Sequence, residues 1–250
     1  MLLTQDTALI TGVGSPIGRA FAKAIAREGG RLVGTDINIK QGQTAIRDVT
    51  ADGGTASFIL ADLAGEQAAQ QVFDVAVAQL GEISVFVHCA SPDHFGRTLA
   101  QSTEQDWAEM FGVNVFSVFR LTRLLGAHMR ERAIRGRILL VTSLHADSVR
   151  HVPHYSASKS ALTMLMRELA ADLGSSGVRV NALAPGAIAS ETLPVHGPFA
   201  RAAALRRIGT PEECANTGVA ILSQRFGSFV TGAVIPVDGG LSLFNWMQRD

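Results

Sequence analysis

The sequence lacks an excess of charge of either sign, and it has few cysteines. Its 22 basic and 22 acidic residues give a formal net charge of zero, so the overall charge does not favour DNA, RNA or an anionic membrane as a partner. Cys89 and Cys214 stand far apart and outside any metal-ligand spacing, which gives no sign of a disulfide framework or a metal site. These absences favour a small-molecule ligand and a reducing compartment.

Long apolar runs are also missing. No stretch approaches the roughly 20 apolar residues that span a bilayer, and no basic segment precedes the first apolar run. We therefore expect a cytoplasmic protein without a membrane segment. A chain of 250 residues has the length of one large domain, and we expect residues 1–250 to form it.

Short apolar segments alternate with segments of helical periodicity along the chain. The apolar segments lack the in-out alternation of half-exposed strands, which is typical of strands buried on both faces. This order predicts an α/β fold of the Rossmann type, with one doubly wound parallel sheet of about seven strands and helices on both faces. The predicted strands begin at 7, 31, 56, 84, 136, 178 and 233, and the predicted helices span 17–28, 40–51, 65–80, 103–132, 155–174 and 211–223.

Residues 187–210 form the least regular stretch. Pro and Gly interrupt any strand there, and only a short helix near 199–207 is expected. A long loop of this kind in a compact domain is usually a lid or binding loop. We therefore expect the substrate-binding loop at 187–210.

A glycine-rich turn, TGVGSPIG, joins the first predicted strand to the first predicted helix. In a doubly wound sheet this turn offers backbone amides and the positive end of a helix to a phosphate. Pro16 suits the first helical position but removes one amide that could face a pyrophosphate. The turn residues that we expect to contact a dinucleotide are Gly12, Gly14, Ser15, Ile17 and Gly18.

Asp36 ends the second predicted strand, eighteen positions after Gly18. A carboxylate at that place accepts hydrogen bonds from both hydroxyls of an adenosine ribose, and it repels the 2′-phosphate of NADP. We therefore expect NAD as the cofactor.

Tyr155 is the only tyrosine, and it precedes Lys159, one of three lysines, by four residues. This spacing puts both side chains on one face of a predicted helix. A carbinol that gives up a hydride must also lose its hydroxyl proton, and a phenolate can take it. Because a neighbouring ammonium and an oxidised nicotinamide both favour the phenolate, we expect a lowered pKa for Tyr155.

Two further polar residues complete the candidate chemistry. Ser143 follows the fifth predicted strand, at the sheet edge where doubly wound folds bind ligands, and its hydroxyl can hold a substrate oxygen. Asn114 lies in a predicted helix where asparagine is unfavourable. An inward amide there can fix a water that passes protons from Lys159 to solvent.

With these residues in this order, the sequence resembles the classical short-chain dehydrogenase/reductase family over essentially its whole length. The likeness also includes Thr11 at the turn and the C-terminal segment VTGAVIPVDGG. The catalytic tetrad that it implies is Asn114, Ser143, Tyr155 and Lys159, with Lys159 also binding the nicotinamide ribose. The other cofactor contacts that it implies are Asp62, Leu63, Ala90, Pro185, Gly186, Ile188 and Ser190.

The sequence departs from the family pattern on the cofactor side. Pro16 stands where glycine is usual, and the run His88 to Ser91 replaces Asn-Asn-Ala-Gly. Ser91 adds a side chain where the adenosine ribose should pass, and His88 replaces an amide that ties neighbouring strands together. We therefore expect weaker NAD binding.

The resemblance implies an NAD-dependent oxidoreductase that interconverts a secondary alcohol and a ketone, and it implies a homodimer or homotetramer. The spacing of Tyr155 and Lys159 differs from that of enoyl reductases, which disfavours double-bond reduction. Two alternatives stay open: an NADPH-dependent 3-oxoacyl reductase, which Asp36 disfavours, and a nucleotide-sensing protein without turnover. The candidate substrate contacts are Leu144, His145 and His154; such histidines suit an anionic or polyhydroxylated substrate but are also common in solvated loops.

Overall fold

A computed structural model of the protein describes residues 1–93, 96–190, 193 and 197–243. Within these residues, seven strands form one sheet in which all neighbouring strands are parallel. The strands are β1 (Thr7–Thr11), β2 (Arg31–Asp36), β3 (Ala56–Leu60), β4 (Val85–His88), β5 (Arg137–Val141), β6 (Arg179–Pro185) and β7 (Val234–Val237). The predicted seven-stranded parallel sheet is thus confirmed.

Helices cover both faces of this sheet. They are α1 (Pro16–Arg27), α2 (Ile39–Ala51), α3 (Ala68–Leu80), α4 (Glu104–Phe111), α5 (Ser117–Glu131), α6 (Pro153–Gly174), α7 (Pro198–Ala202), α8 (Pro211–Leu222) and α9 (Gln224–Gly227). A π-helical turn at Gly112–Phe116 joins α4 to α5, and short 3₁₀ turns lie at Leu144–Ala146 and Leu241–Leu243. Of the helices in the described ranges, none combines the length and the apolar character that a bilayer crossing requires.

Two apolar clusters hold the helices on the sheet, one on each face. Phe21 of α1 and Val219 of α8 pack with Ile10 in the first cluster. Leu121 of α5 and Met166 of α6 belong to the second, on the opposite face. The central strands are therefore enclosed from both sides, which explains why their sequences lack in-out alternation.

The strand order β3-β2-β1-β4-β5-β6-β7 fixes where a ligand can bind. The chain runs outward from β1 to β3, then returns to place β4 on the other side of β1. In doubly wound sheets the crevice lies at this reversal, outside the carboxyl ends of the strands. The turn after β1, the segment after β4 and the segment after β5 all open into that edge.

Apart from shifts of up to three residues at helix ends and the short, unpredicted α9, the structure differs from the predicted helices in two places. The single helix predicted at 103–132 is divided by the π-helical turn, which takes up an extra residue and leaves Asn114 fully buried. The helix predicted near 199–207 ends at Ala202, because Ala203 is extended and the Leu205 amide donates to the Gly239 carbonyl. In the predicted loop 187–210, residues 191–192 and 194–196 lie outside the described residues.

Candidate active site

The glycine-rich turn leaves β1 and enters α1 through a capped helix end. Ser15 is the N-cap: its Oγ accepts from the Gly18 amide at 3.1 Å and donates to the Gly12 carbonyl at 2.7 Å. Pro16 occupies the first helical position, as its fixed φ predicts. Gly12 has a φ of +65°, and a Cβ there would lie 2.5 Å from the Ala90 amide nitrogen, so only glycine fits.

Asp36 lies against this turn. Its Oδ2 accepts from the Gly14 amide and its Oδ1 accepts from the Asn38 amide, both at 2.8 Å. These bonds hold the carboxylate at the end of β2, and each oxygen keeps acceptor capacity for a further hydrogen bond. The turn at a helix N-terminus beside a fixed carboxylate therefore fits the adenosine and phosphate parts of a dinucleotide.

Three predicted cofactor contacts follow β3 and β4. Asp62 is exposed, and its Oδ1 accepts from the Ala64 amide at 3.0 Å, whereas Leu63 is buried in the second apolar cluster. Ala90 is packed against the glycine turn at Gly12. All three lie at the carboxyl edge of the sheet, and their contacts with a cofactor stay predictions.

The other predicted cofactor contacts follow β6. Pro185 ends that strand, and the Gly186 amide donates to the Val237 carbonyl at 3.0 Å. Ile188 forms a parallel bridge with Gly209. Ser190 is exposed, and its Oγ accepts from the Leu193 amide at 3.2 Å. The first part of the predicted loop is thus anchored to β7 and to the segment before α8.

Ser143, Tyr155 and Lys159 come together at the carboxyl end of β5. Ser143 follows β5, whereas Tyr155 and Lys159 lie in the first two turns of α6. The side chains of Ser143 and Tyr155 are hydrogen-bonded. The Lys159 Nζ lies 5.5 Å from the centroid of the Tyr155 ring and donates to the Val141 carbonyl at 3.0 Å.

The electrostatics of this cluster differ from the prediction in one respect. Lys159 is 3% exposed, and burial lowers its pKa from 10.5 to about 8. Burial also raises the pKa of Tyr155, and the hydrogen bond with Ser143 acts in the opposite direction. The predicted lowering is therefore wrong for the chain's own groups, because desolvation of the phenol outweighs the partners that favour its ionised form.

Asn114 is connected to this cluster through Ser158, a residue that was not predicted from the sequence. Its Nδ2 donates to the Ser158 Oγ at 2.9 Å, and that hydroxyl donates to the Tyr155 carbonyl at 2.8 Å. Asn114 thus fixes the first turn of α6 rather than contacting Tyr155 directly. Its Oδ1 is buried without a hydrogen-bond partner among the described residues, and the predicted water at that place stays a prediction. The available signal for Ser158 was its position between Tyr155 and Lys159.

The three candidate substrate contacts have different surroundings. Leu144 is buried in a small cluster with Ala203 and Leu241. The His145 ring meets the Tyr155 ring edge to face, with centroids 5.2 Å apart and an interplanar angle of 82°. His154 is fully buried, and its ring centroid lies 6.4 Å from that of Trp107. His145 therefore borders the reacting residues, whereas His154 lies in the packing between α4 and α6.

Comparisons with known proteins agree with this geometry. A family model described as enoyl-(acyl carrier protein) reductase matches residues 12–242. The short-chain reductase protein NovJ of Streptomyces niveus is 33% identical, over 94% of this chain and 94% of its own length. The chain belongs to the short-chain dehydrogenase/reductase family. It is therefore an enzyme of the oxidoreductase class.

Solved structures of this short-chain dehydrogenase/reductase family superpose closely. One from Serratia marcescens has a TM-score of 0.89 and 30% identity, covering 97% of this chain and 100% of its own. A 7α-hydroxysteroid dehydrogenase complexed with NADH and 7-oxo glycochenodeoxycholic acid has a TM-score of 0.88 and 31% identity, covering 95% and 94%. Similar structures also include a complex with NADPH, so the relatives alone leave the choice of cofactor open.

In this member of the short-chain dehydrogenase/reductase family, His88 and Cys89 stand where the family pattern has asparagines. The His88 side chain is fully buried, and burial together with the charge of Lys159 lowers its pKa to about 3, so the imidazole is neutral. Burial raises the pKa of the Cys89 thiol, which keeps the thiol protonated. Neither substitution adds a charge beside the cofactor turn, and the predicted weakening of NAD binding stays a prediction.

Proposed function

We propose that the protein is an NAD-dependent oxidoreductase that interconverts a secondary alcohol and a ketone. The observation that carries the proposal is the convergence of Ser143, Tyr155 and Lys159 beyond β5, on the sheet edge that also holds the glycine-rich turn. A proton acceptor, a donor to the substrate oxygen and a cation are what removal of a carbinol proton requires.

Each of these residues has a distinct task in the proposed reaction. In the oxidative direction the Tyr155 phenolate takes the hydroxyl proton, while the Ser143 hydroxyl holds the substrate oxygen. Because burial raises the pKa of Tyr155, the phenolate would need the positive charge of a bound oxidised nicotinamide in addition to that of Lys159. Bound NAD supplies the acceptor for the hydride. The Lys159 ammonium stabilises the phenolate, and its bond to the Val141 carbonyl keeps it near the Tyr155 ring. In the reductive direction Tyr155 returns the proton to the alkoxide oxygen.

The cofactor preference rests on Asp36. Its carboxylate is held at the end of β2 by two backbone amides, where it can accept from the ribose hydroxyls of NAD. The 2′-phosphate of NADP would meet a fixed negative charge at this point. The NADH bound to the similar 7α-hydroxysteroid dehydrogenase is consistent with this preference.

Carbonyl chemistry is preferred over double-bond reduction, although the matching family model is described as an enoyl reductase. Lys159 follows Tyr155 by one helical turn, and the Tyr155 side chain is also hydrogen-bonded to the Ser143 side chain. Tyr155, which exchanges the proton, therefore lies beside Ser143, which can donate a second hydrogen bond to the same substrate oxygen. Two such groups suit an oxygen that alternates between a hydroxyl and a carbonyl.

A spectrophotometric panel tests the proposal. Purified protein is incubated with NAD⁺ or NADP⁺ and a set of secondary alcohols and sugars, and formation of the reduced dinucleotide is followed. NADH formation that is lost in Tyr155→Phe supports the proposal. Turnover with NADP⁺ alone contradicts the NAD preference and favours the NADPH-dependent alternative. Absence of turnover with every alcohol, together with NADH binding in a separate fluorescence titration, supports a sensing role.

A further inference from the structure

His145 is held firmly beside the reacting residues. Its backbone amide donates to the Ser143 Oγ at 3.2 Å, and the 3₁₀ turn that contains it is tied to α6 by a bond from the Ser160 hydroxyl to the Ala146 carbonyl. Its ring lies edge to face against Tyr155. The imidazole is therefore fixed relative to both groups that would hold the substrate oxygen.

The two ring nitrogens of His145 have different surroundings. Nδ1 is buried and has no hydrogen-bond partner among the described residues, whereas Nε2 is not enclosed in this way. An orphaned N–H is rarer in proteins than an under-used acceptor, so the proton belongs on Nε2 and the lone pair on Nδ1. His145 thus offers one N–H donor that the described residues leave without an acceptor.

This donor is uncharged near neutral pH. Burial, followed by the charges of Arg150 and Lys159, lowers the pKa of His145 to about 4. A neutral N–H binds a hydroxyl or carbonyl oxygen by a directed hydrogen bond and does not select an anion by charge. The His145 N–H therefore recognises a substrate by the position of a hydrogen-bond-accepting oxygen and not by its charge.

We propose that His145 is a specificity-determining residue, which selects alcohols that carry a second oxygen on the carbon next to the reacting carbinol. The inference rests on the proposed function, because Tyr155 and Ser143 fix where the carbinol lies. The centroids of the His145 and Tyr155 rings are 5.2 Å apart, and from this separation we infer that the His145 N–H and the Tyr155 hydroxyl meet oxygens on neighbouring carbons of one small molecule. Vicinal diols, α-hydroxy ketones and cyclic sugars belong to this class.

The selectivity follows from the cost of an unmade hydrogen bond. A site built to bind a substrate hydroxyl rejects the analogue that lacks it, because its own polar group is left unpaired. His145 is only half-buried, so we expect about a 10-fold preference rather than the much larger values of fully enclosed sites.

Matched substrate pairs test the inference. The value of kcat/KM with NAD⁺ is measured for cyclohexanol against cis-1,2-cyclohexanediol and for 2-butanol against 2,3-butanediol. His145→Phe keeps an aromatic ring against Tyr155 but has no donor, and His145→Gln keeps a donor without the ring. His151→Asn is the control, since His151 is an exposed loop histidine with a φ of +59°, which asparagine tolerates.

We expect the wild type and His151→Asn to prefer the diols about 10-fold, and His145→Phe to bring the ratio of kcat/KM for the diol to kcat/KM for the simple alcohol close to one. His145→Gln should retain part of the preference. If kcat/KM in His145→Phe falls equally for both members of a pair, the diol preference persists and the inference is overturned. The absence of a diol preference in the wild type overturns it as well. Neither result contradicts the proposed function. Absence of turnover with every alcohol and ketone contradicts the proposed function itself.

Discussion

The His88 Nδ1 lies 2.8 Å from the Thr11 hydroxyl, and both side chains are completely buried. The two residues are register partners on β1 and β4, directly before the chain enters the turn at Gly12. Their contact ties two central strands together beneath the proposed dinucleotide site. His88 thus supplies the link between neighbouring strands that the sequence reasoning expected to be lost with the asparagine.

Removing this link should affect both stability and cofactor affinity. Thr11→Val removes the hydroxyl that pairs with the buried Nδ1, so we expect the free energy of unfolding to fall by about 1–3 kcal/mol. Thr11 is the first residue of the glycine-rich turn TGVGSPIG, so NADH affinity should fall as well. Urea unfolding and a fluorescence titration with NADH measure the two effects.

Thr7→Val is a matched control for this prediction. Thr7 is a buried threonine at the other end of β1, and its hydroxyl donates to the Glu82 carbonyl at 2.5 Å. We expect a comparable loss of stability in Thr7→Val with unchanged NADH affinity. Equal losses of affinity in the two variants would mean that the turn responds to general destabilisation, and the prediction would be wrong.

Tyr155→Phe should remove proton transfer while preserving the site. The phenyl ring keeps the edge-to-face contact with His145, and only the hydroxyl is lost. Because general acid–base catalysis contributes about 10²- to 10⁴-fold, we expect kcat/KM for the best alcohol to fall by that factor. NADH titration should give an unchanged dissociation constant. Activity above a tenth of the wild-type value would exclude Tyr155 as the acid/base.

Burial of Lys159 should make stability depend on pH. Its pKa is about 8 in the folded chain and 10.5 when unperturbed, so between these values the unfolded chain binds more protons. The free energy of unfolding should therefore rise as pH increases through this window, by on the order of 3 kcal/mol in total. Below about pH 8 the ammonium is charged in both states and its desolvation penalty is fully present.

Comparison with Lys159→Met isolates this contribution. Tyr155, His88 and Cys89 titrate in both proteins, so the difference between their urea unfolding curves reports mainly on Lys159. We expect Lys159→Met to have the larger free energy of unfolding at pH 7. The difference in this free energy between the two proteins should become smaller toward pH 10. A gap that stays constant across this range would show that the ammonium does not lose its proton there.

Asp36→Ser should shift the cofactor preference. The substitution removes the negative charge that the proposed function assigns to the ribose end of the cofactor, and it keeps a small hydrogen-bonding side chain near the Gly14 amide. We expect the ratio of kcat/KM for NADP⁺ to that for NAD⁺ to rise about 10-fold or more, since a repulsive charge is removed from one ligand only. Asp52→Asn, at the far end of α2, is the control for a lost surface charge. An unchanged ratio in Asp36→Ser would remove the basis for preferring NAD.

The sequence carries much of this architecture because its signals are local. Strands enclosed on both faces are uniformly apolar, and the Tyr155–Lys159 spacing puts two reactive groups on one helix face. Pro16 and Ser15 mark the start of α1 by their own conformational preferences. These features can be predicted without knowing which segments of the chain pack against them.

The features that were missed depend on contacts between distant segments. The π-helical turn around Asn114 is stabilised by the hydrogen bond to Ser158, 44 residues away, which no periodicity reveals. The direction of the Tyr155 pKa shift depends on how deeply the phenol is buried relative to its partners, which only the folded chain determines. The early end of α7 likewise follows from the bond between Leu205 and Gly239.

The outer surfaces of α5 and α6 predict self-association. Phe116 before α5, Phe119 on α5 and Met164 on α6 are 51%, 49% and 53% exposed, whereas Leu162 and Met166 of α6 are fully buried toward the sheet. A helix with apolar residues on a second, exposed side gains free energy by covering them with a partner. Together with the family resemblance, this favours pairing of these helices between two copies of the chain, in a homodimer or homotetramer.

Size-exclusion chromatography with light scattering measures the assembly directly. We expect a mass of two or four chains for the wild type and a smaller mass for the double variant Phe119→Glu with Met164→Glu, because charges buried in an apolar interface are unfavourable. Val75→Glu is the control, since Val75 is a partly exposed apolar residue on α3. A monomeric wild type, or loss of assembly in Val75→Glu as well, contradicts the prediction that the α5 and α6 surfaces hold the assembly together.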